Sequence, residues 1–428
     1  MTLNPHHSAS HLAPRLSIFF QLDPFNPTIG GIQTCIKYVL KYAPSEFRIQ
    51  LIGITQSQAA VGQWQTAKLH GREFDFLPLL HVADDNIRGL IPTTLKYALA
   101  LRKYLQRQPI ESEFYQFHRI EPTVFTRGLS GTKLLYIHND IYQEIKGGNR
   151  GGILWKRFPW AYFTLEKKLV SQFDRILSCN SQSATLYQEQ YPNIAERVSY
   201  LPNTFDSELF YAFTPSQKQT AREQLAAKLN LPAQTQFVLF AGRLHPQKQP
   251  ALLIQAMAKL NLPDTHLLIV GKGELENEVR SEIDRLDLRS QVTLLGSMPQ
   301  HELADLYRTC DLFVLTSAYE GLARGSLEAL ACGTPVVTTR AGETPNFLEP
   351  DSGLVCDENT PTAIAKHWRT LLEHPQDFPA EACLRVVKPY EASHVIQTLY
   401  GSLLKEWEQK TDQNSLDQNK PLVLQEYG

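Results

Sequence analysis

Two cations five positions apart and two carboxylates eight positions apart are the residues best suited to chemistry in this chain. The cations, Arg243 and Lys248, stand in Phe240-Ala-Gly-Arg-Leu-His-Pro-Gln-Lys248, where an apolar strand runs out into a loop. A planar guanidinium fork beside an ammonium point charge suits a diphosphate. A solvated loop with two ordinary cations is the competing reading. The carboxylates are Glu320 and Glu328, in Glu320-Gly-Leu-Ala-Arg-Gly-Ser-Leu-Glu328. Were the whole segment helical, eight steps of about 100° would set them about 80° apart. Gly321 and Gly325 weaken a helix at its start. Glu320 is therefore expected in a loop and Glu328 inside the helix, pointing into one cleft from different depths. The free N–H groups at that helix start would favour a phosphate. Surface acids are the alternative for this pair. Gly333 and Pro335 then stop the helix.

Weaker signals lie in the first half. Gly30-Gly31 opens a helix, so backbone N–H groups there could approach a phosphate closely; a tight turn explains the pair as well. His138 closes the apolar strand before Asn139-Asp140, and His118 closes another. A strand-end His is more often structural than chemical. No Gly-x-Gly-x-x-Gly is present, and the second strand ends Ile54-Thr55-Gln56-Ser57 without an acid for a ribose, which disfavours a nicotinamide enzyme. The chain has no Asp-x-Asp to hold a cation. Fixed cations and helix N-termini would instead neutralise a leaving diphosphate, so no metal is expected.

These residues need strands to carry them. Apolar runs predict strands at Arg15–Leu22, Arg48–Ile54, Glu73–Leu77, Glu113–Phe117, Lys133–Ile137, Arg175–Cys179 and Val198–Leu201. Helical spacing between them marks Pro92–Gln106, Trp155–Ser171 and Ser181–Gln190. The second series has strands at Phe237–Ala241, His266–Val270, Val292–Leu295, Leu312–Thr316 and Pro335–Thr339. Its helices fall at Gln219–Leu229, Ala251–Leu260, Leu275–Leu286, Glu302–Cys310 and Arg324–Ala331. Alternation of this kind builds doubly wound parallel sheets, with ligands at the carboxyl ends of the strands. The expected fold class is α/β with two Rossmann-like domains, at 15–202 and 203–388, joined through Pro202–Pro215. A last amphipathic helix, Val395–Trp407 within a segment 389–409, is expected to cross back to the first domain. Residues 1–14 and 410–428 are expected to be flexible tails.

Composition narrows the class further. The chain of 428 residues is 43% hydrophobic and 20% charged, enough for a core in each half. Its 42 basic and 44 acidic residues give a formal charge of −2, which predicts no attraction to nucleic acid. Six scattered cysteines without a Cys-x-x-Cys pair fit a reducing cytoplasm. No apolar run approaches the ~18–20 residues of a membrane span, and Met1–Pro14 lacks a signal-peptide core. Trp155–Phe173 mixes aromatics with Lys156, Arg157, Lys167 and Lys168. Such a stretch could rest on an anionic membrane; a core helix with solvated lysines is the alternative.

The blocks FAGRLHPQK, LIVGKGELE, VTLLGSMPQHELADLY, EGLARGSLEALACGTPVV and SGLV follow one another from Phe240 to Val355. In order and spacing this segment resembles the family-four retaining glycosyltransferases of the B-type (GT-B) fold. PFNPTIGGIQT, FHRIEP and YIHND extend the likeness more loosely to the first half. The resemblance implies two domains facing across a cleft and transfer of a sugar from a nucleoside diphosphate (UDP- or GDP-sugar) to an acceptor hydroxyl, with retention and without metal. It implies that Arg243 and Lys248 hold the diphosphate, Glu328 the ribose and Glu320 the transferred sugar, which His138 also faces. Gly30 and Gly31 would lie near the diphosphate and acceptor. Gly242, Gly271, Gly273, Ser297, Met298, Gly321 and Leu322 would line the donor pocket. A role in cell-surface polysaccharide or glycolipid synthesis at the cytoplasmic face of a membrane goes with the family. Relatives often carry Pro at the place of Ala323 and an acid near that of Asn346, so the likeness weakens where the sugar is held. A non-catalytic sugar-nucleotide binder and a hydrolysing sugar-nucleotide epimerase are the other classes this fold could serve. Retention of Arg243, Lys248, Glu320 and Glu328 argues against the first.

Overall fold

A computed structural model of the chain describes residues 13–26, 30–83, 92–138 and 159–418. Fourteen strands among them form two sheets, both organised by apolar segments buried on two faces. The first eight strands are β1 (Arg15–Phe19), β2 (Arg48–Thr55), β3 (Gln65–Leu69), β4 (Arg72–His81), β5 (Phe114–Phe117), β6 (Thr132–Ile137), β7 (Arg175–Ser178) and β8 (Val198–Tyr200). Their order is β3-β4-β2-β1-β5-β6-β7-β8. β1 pairs in parallel with β2 and β5. β3 escapes the apolar pattern because it is a half-polar edge strand. It is joined to β4 by a two-residue turn, His70-Gly71, with φ of 49° and 79°, and runs antiparallel to it.

The second sheet holds β9 (Gln236–Ala241), β10 (Thr265–Val270), β11 (Val292–Gly296), β12 (Leu312–Leu315), β13 (Val336–Thr339) and β14 (Gly353–Cys356). Its order is β11-β10-β9-β12-β13-β14, and the pairs are parallel. The chain winds outward from β9 in both directions, so the order reverses between β9 and β12. Side chains alternate strictly between two cores: Val238, Phe240, Leu267, Ile269, Leu312 and Val314 on one face, Phe237, Leu239, Leu268, Val270, Phe313 and Leu315 on the other. β14 and the helices Pro361–Glu373 and Ala380–Val387 complete this layer and were not anticipated from the sequence.

The chain divides into two compact units. One comprises the described residues up to 136, 165–176 and those from 396 on; the other comprises 137–164, as far as described, and 177–395. The last helix is longer than expected. It runs Ala392–Gln418, so residues 410–418, expected to be frayed, are helical. Within the first unit it is well anchored. Tyr400 is fully buried and its hydroxyl donates to Val39 O at 3.1 Å. Arg175 donates to Ser402 Oγ at 2.8 Å, and Thr132 to Glu406 at 2.7 Å.

Candidate active site

The second unit carries almost every predicted site residue, on loops leaving the carboxyl ends of its strands. β9 ends in Ala241 and passes into Gly242–Lys248. β10 passes into Gly271–Gly273, and these two loops touch through their backbones. Gly242 N donates to Val270 O at 2.9 Å and Leu244 N to Lys272 O at 3.1 Å. A Cβ on Gly271, whose φ is +133°, would fall 1.9 Å from Gly242 O; one on Gly273 would fall 2.2 Å from Leu244 O. Only glycine permits that approach. Gly271 N in turn donates to Gly296 O at 2.8 Å, which seats Ser297 and Met298 beside them. The glycines, together with Ser297 and Met298, thus form one stack of three loops.

Lys248 is presented by a built turn. His245 Nδ1 accepts from Gln247 N at 3.2 Å, capping the short 3-10 turn Pro246–Lys248. Gln249 ends the turn in the left-handed region, with φ of 46°. Lys248 Nζ then forms an ion pair with Glu320 Oε1, both side chains being largely buried. The loop after β12 is tied to the same turn: Ala318 N donates to Gln247 O at 2.8 Å and Gln247 Nε2 to Tyr319 O at 3.0 Å. Lys248 and Glu320 therefore meet between β9 and β12, at the reversal of strand order, where open α/β sheets form their ligand crevice. Arg243 is exposed on the same loop as Lys248.

Glu320 is in the loop and Glu328 in the helix Arg324–Ala331, as their glycines predicted. Glu328 is buried, and burial pushes its carboxyl up to about 7. The positive charge of Arg324 and hydrogen bonds with Tyr307 and Gln300 act in the opposite direction and do not overcome it. Tyr307 and Gln300 were not foreseen, because on the helix Gln300–Thr309 they read as ordinary packing and capping positions. Leu322 and Ala323 are buried in the core beneath the Glu320 loop.

His138 belongs to this unit and meets the Glu320 loop through its backbone. A Cβ on Gly321 would lie 2.5 Å from His138 O and 2.9 Å from Cys179 Sγ. His118 belongs to the other unit and is a core residue. It stacks on Tyr136 at 5.6 Å, and burial pushes its imidazole down to about 3, which keeps it neutral. Gly30 caps the helix Gly31–Lys41 of that unit with extended backbone and no side-chain bond. Of the first-half loops expected to build the acceptor pocket, Pro24–Gly30 and His81–Leu90 are described only in part and Gly147–Leu154 lies outside the described residues, as does Trp155–Phe158. Trp160 is 71% exposed, whereas Tyr162 is buried.

Two largely parallel α/β sheets, the second with glycine-built loops at its strand-order reversal, define a two-domain protein of the GT-B architecture. The chain matches the family model "Glycosyl transferases group 1" over residues 221–385. It is 30% identical over 222 residues to a D-inositol 3-phosphate glycosyltransferase of Segniliparus rotundus, covering 50% of this chain and 48% of that one. A namesake from Corynebacterium glutamicum is 31% identical over 218 residues, covering 49% and 51%. The chain thus spans about half the length of the curated relatives it matches. Among solved structures, sucrose-phosphate synthase from Thermosynechococcus elongatus superposes with a TM-score of 0.75 at 18% identity, covering 93% of this chain and 100% of that one. Anabaena HepE in complex with UDP and glucose gives 0.67 at 19%, covering 92% and 100%. At those identities the structural matches speak to the fold alone.

Proposed function

We propose that this protein moves a sugar from a nucleoside-diphosphate-sugar donor to an acceptor hydroxyl, retaining the anomeric configuration and using no bound metal. The observation that carries this reading is the Lys248–Glu320 pair at the strand-order reversal. There a cation for the diphosphate and an acid for sugar hydroxyls stand side by side. The C1–phosphate oxygen bond breaks as the acceptor oxygen bonds C1 on the same face. The acceptor's proton passes to the departing phosphate oxygen, so no separate general base is required. Lys248 and Arg243 neutralise the charge that develops on the diphosphate. Glu328, from the helix below, accepts from the ribose hydroxyls. UDP-sugars are the first donors to test: HepE is described with UDP and glucose, and a phosphorylated polyol acceptor suits relatives named for inositol 3-phosphate. The family-four assignment and a place in cell-surface polysaccharide or glycolipid synthesis belong to the same proposal.

A thermal-shift panel of UDP, GDP, ADP and their common sugars, with EDTA throughout, tests the donor site. One nucleotide series is expected to raise Tm by several degrees, since a ligand at 100 times its Kd adds about 2.7 kcal/mol. No shift with any of them overturns the reading; a shift only when EDTA is replaced by a divalent cation overturns its metal-free part.

No described helix is long and apolar enough to cross a membrane. The exposed Trp160, with exposed Lys167 and Lys168 further along its helix, supports contact with an anionic bilayer surface. Flotation with anionic vesicles is expected to carry the protein upward and Trp160→Ser to reduce that fraction. Equal flotation by the variant rejects this contact.

A further inference from the structure

The loop after β13 lies directly on the sugar-side step of the site, Glu320–Gly321. Gly342 has φ of +68°, and a Cβ on it would fall 2.4 Å from Gly321 O and 2.6 Å from Glu320 Cβ. The next residue, Glu343, donates its backbone N–H to Gly321 O at 2.8 Å. Its side chain turns away from solvent, with 7% exposure. There its carboxylate accepts from Ser181 N at 2.9 Å and from Ser181 Oγ at 2.9 and 3.0 Å. Ser181 is the first residue of the helix Ser181–Gln190, so the acid sits on that helix's N-terminal N–H groups and on the positive end of its dipole. The residue before it, Asn180, caps the helix by accepting from Ser183 N at 2.7 Å and donates to Gly321 O at 3.4 Å. A buried carboxylate is costly unless its oxygens are satisfied. Here two donors on one residue satisfy it and fix where the loop lies.

We infer that Glu343 is a positioning residue: clasped to Ser181, it holds the Gly342–Glu343 backbone against Gly321 and thereby sets Glu320 toward Lys248 and the donor's sugar. This rests on the sugar-transfer reading of the Lys248–Glu320 pair. The clasp acts on the sugar side of the site and leaves the diphosphate loops of β9 and β10 unaltered.

The test compares the affinity of the nucleoside diphosphate alone with that of its sugar conjugate, using UDP and UDP-glucose (or the pair the thermal-shift panel selects), in wild type, Glu343→Ala, Glu343→Gln and Ser181→Ala. Titration calorimetry on the full chain is expected to show Glu343→Ala weakening the sugar nucleotide about tenfold while the diphosphate stays within about twofold. Glu343→Gln keeps one oxygen to accept from Ser181 and is expected to recover most of the loss. Amide hydrogen exchange over residues 318–323 should be faster in Glu343→Ala than in wild type, and near wild type in Glu343→Gln. Unchanged sugar-nucleotide affinity in Glu343→Ala, an equal loss for both ligands, or no recovery in Glu343→Gln overturns the inference. If wild type binds neither ligand, the sugar-transfer reading fails instead. The exchange data then decide the clasp separately: unaltered exchange at 318–323 in Glu343→Ala rejects it.

Discussion

Lys248→Ala is expected to lower kcat/KM for sugar transfer by about 30- to 1,000-fold, the equivalent of roughly 2–4 kcal/mol of charge stabilisation aimed at a leaving group. Two effects add. The ammonium that meets the developing phosphate charge is gone, and Glu320 is left as a largely buried acid without its cation. The second effect can be isolated. In binding UDP alone, Lys248→Ala/Glu320→Gln should outperform Lys248→Ala, because the unpaired acid no longer repels the diphosphate. Steady-state kinetics of the single variant and calorimetry of both check this. Turnover near wild type in Lys248→Ala, or weaker diphosphate binding in the double variant than in the single one, removes Lys248 from the role assigned to it.

Glu328 should show itself through pH, with opposite signs for ligand and fold. Its carboxyl is pushed up to about 7 by burial, so near neutrality the empty site holds it partly protonated. As an acceptor for ribose hydroxyls the ionised form is the better partner, and UDP affinity should rise as pH goes from 6 to 8. Folding runs the other way. A raised folded-state value means that the native state binds more protons than the unfolded chain. The corresponding stability is fully present below about 4.5 and is lost as pH rises through about 7. A displacement of that size corresponds to about 3 kcal/mol at most. Glu328→Gln should flatten both dependences, make the protein more stable than wild type at pH 8 and weaken UDP there by tenfold or more. Denaturant melts and calorimetry between pH 5 and 8 measure both. Unchanged slopes in the variant would show that another group titrates.

The parts of this molecule legible in its sequence are those where residue type and element end coincide. Arg243, Lys248 and Glu320 announce themselves because apolar strands deliver them to loops; the glycines at 271 and 273 enter only through the family resemblance, and the structure gathers all five on one sheet. The placement of Glu320 in a loop and Glu328 in a helix followed from Gly321 and Gly325 alone. Strand order did not, since it arises from pairings such as β9 with both β10 and β12, which no local pattern encodes. β14 is four residues, opened by a glycine, and too short to show a period. The extension of the last helix to Gln418 runs through a polar stretch, carried by propagation from the anchored turns before it. Glu343 was invisible for a different reason: its partner Ser181 is 162 positions away, and neither residue is unusual in its own neighbourhood.

The anchoring of the last helix also fixes an order of synthesis. Tyr400 and Leu403 are fully buried residues of the first compact unit, yet they are encoded after the whole 177–395 stretch of the second. Translation delivers about 5–20 residues each second, so the ribosome finishes the second unit's contiguous stretch before it supplies the side chains that seal the first. The unit whose strands emerge earliest is the one whose core is closed last.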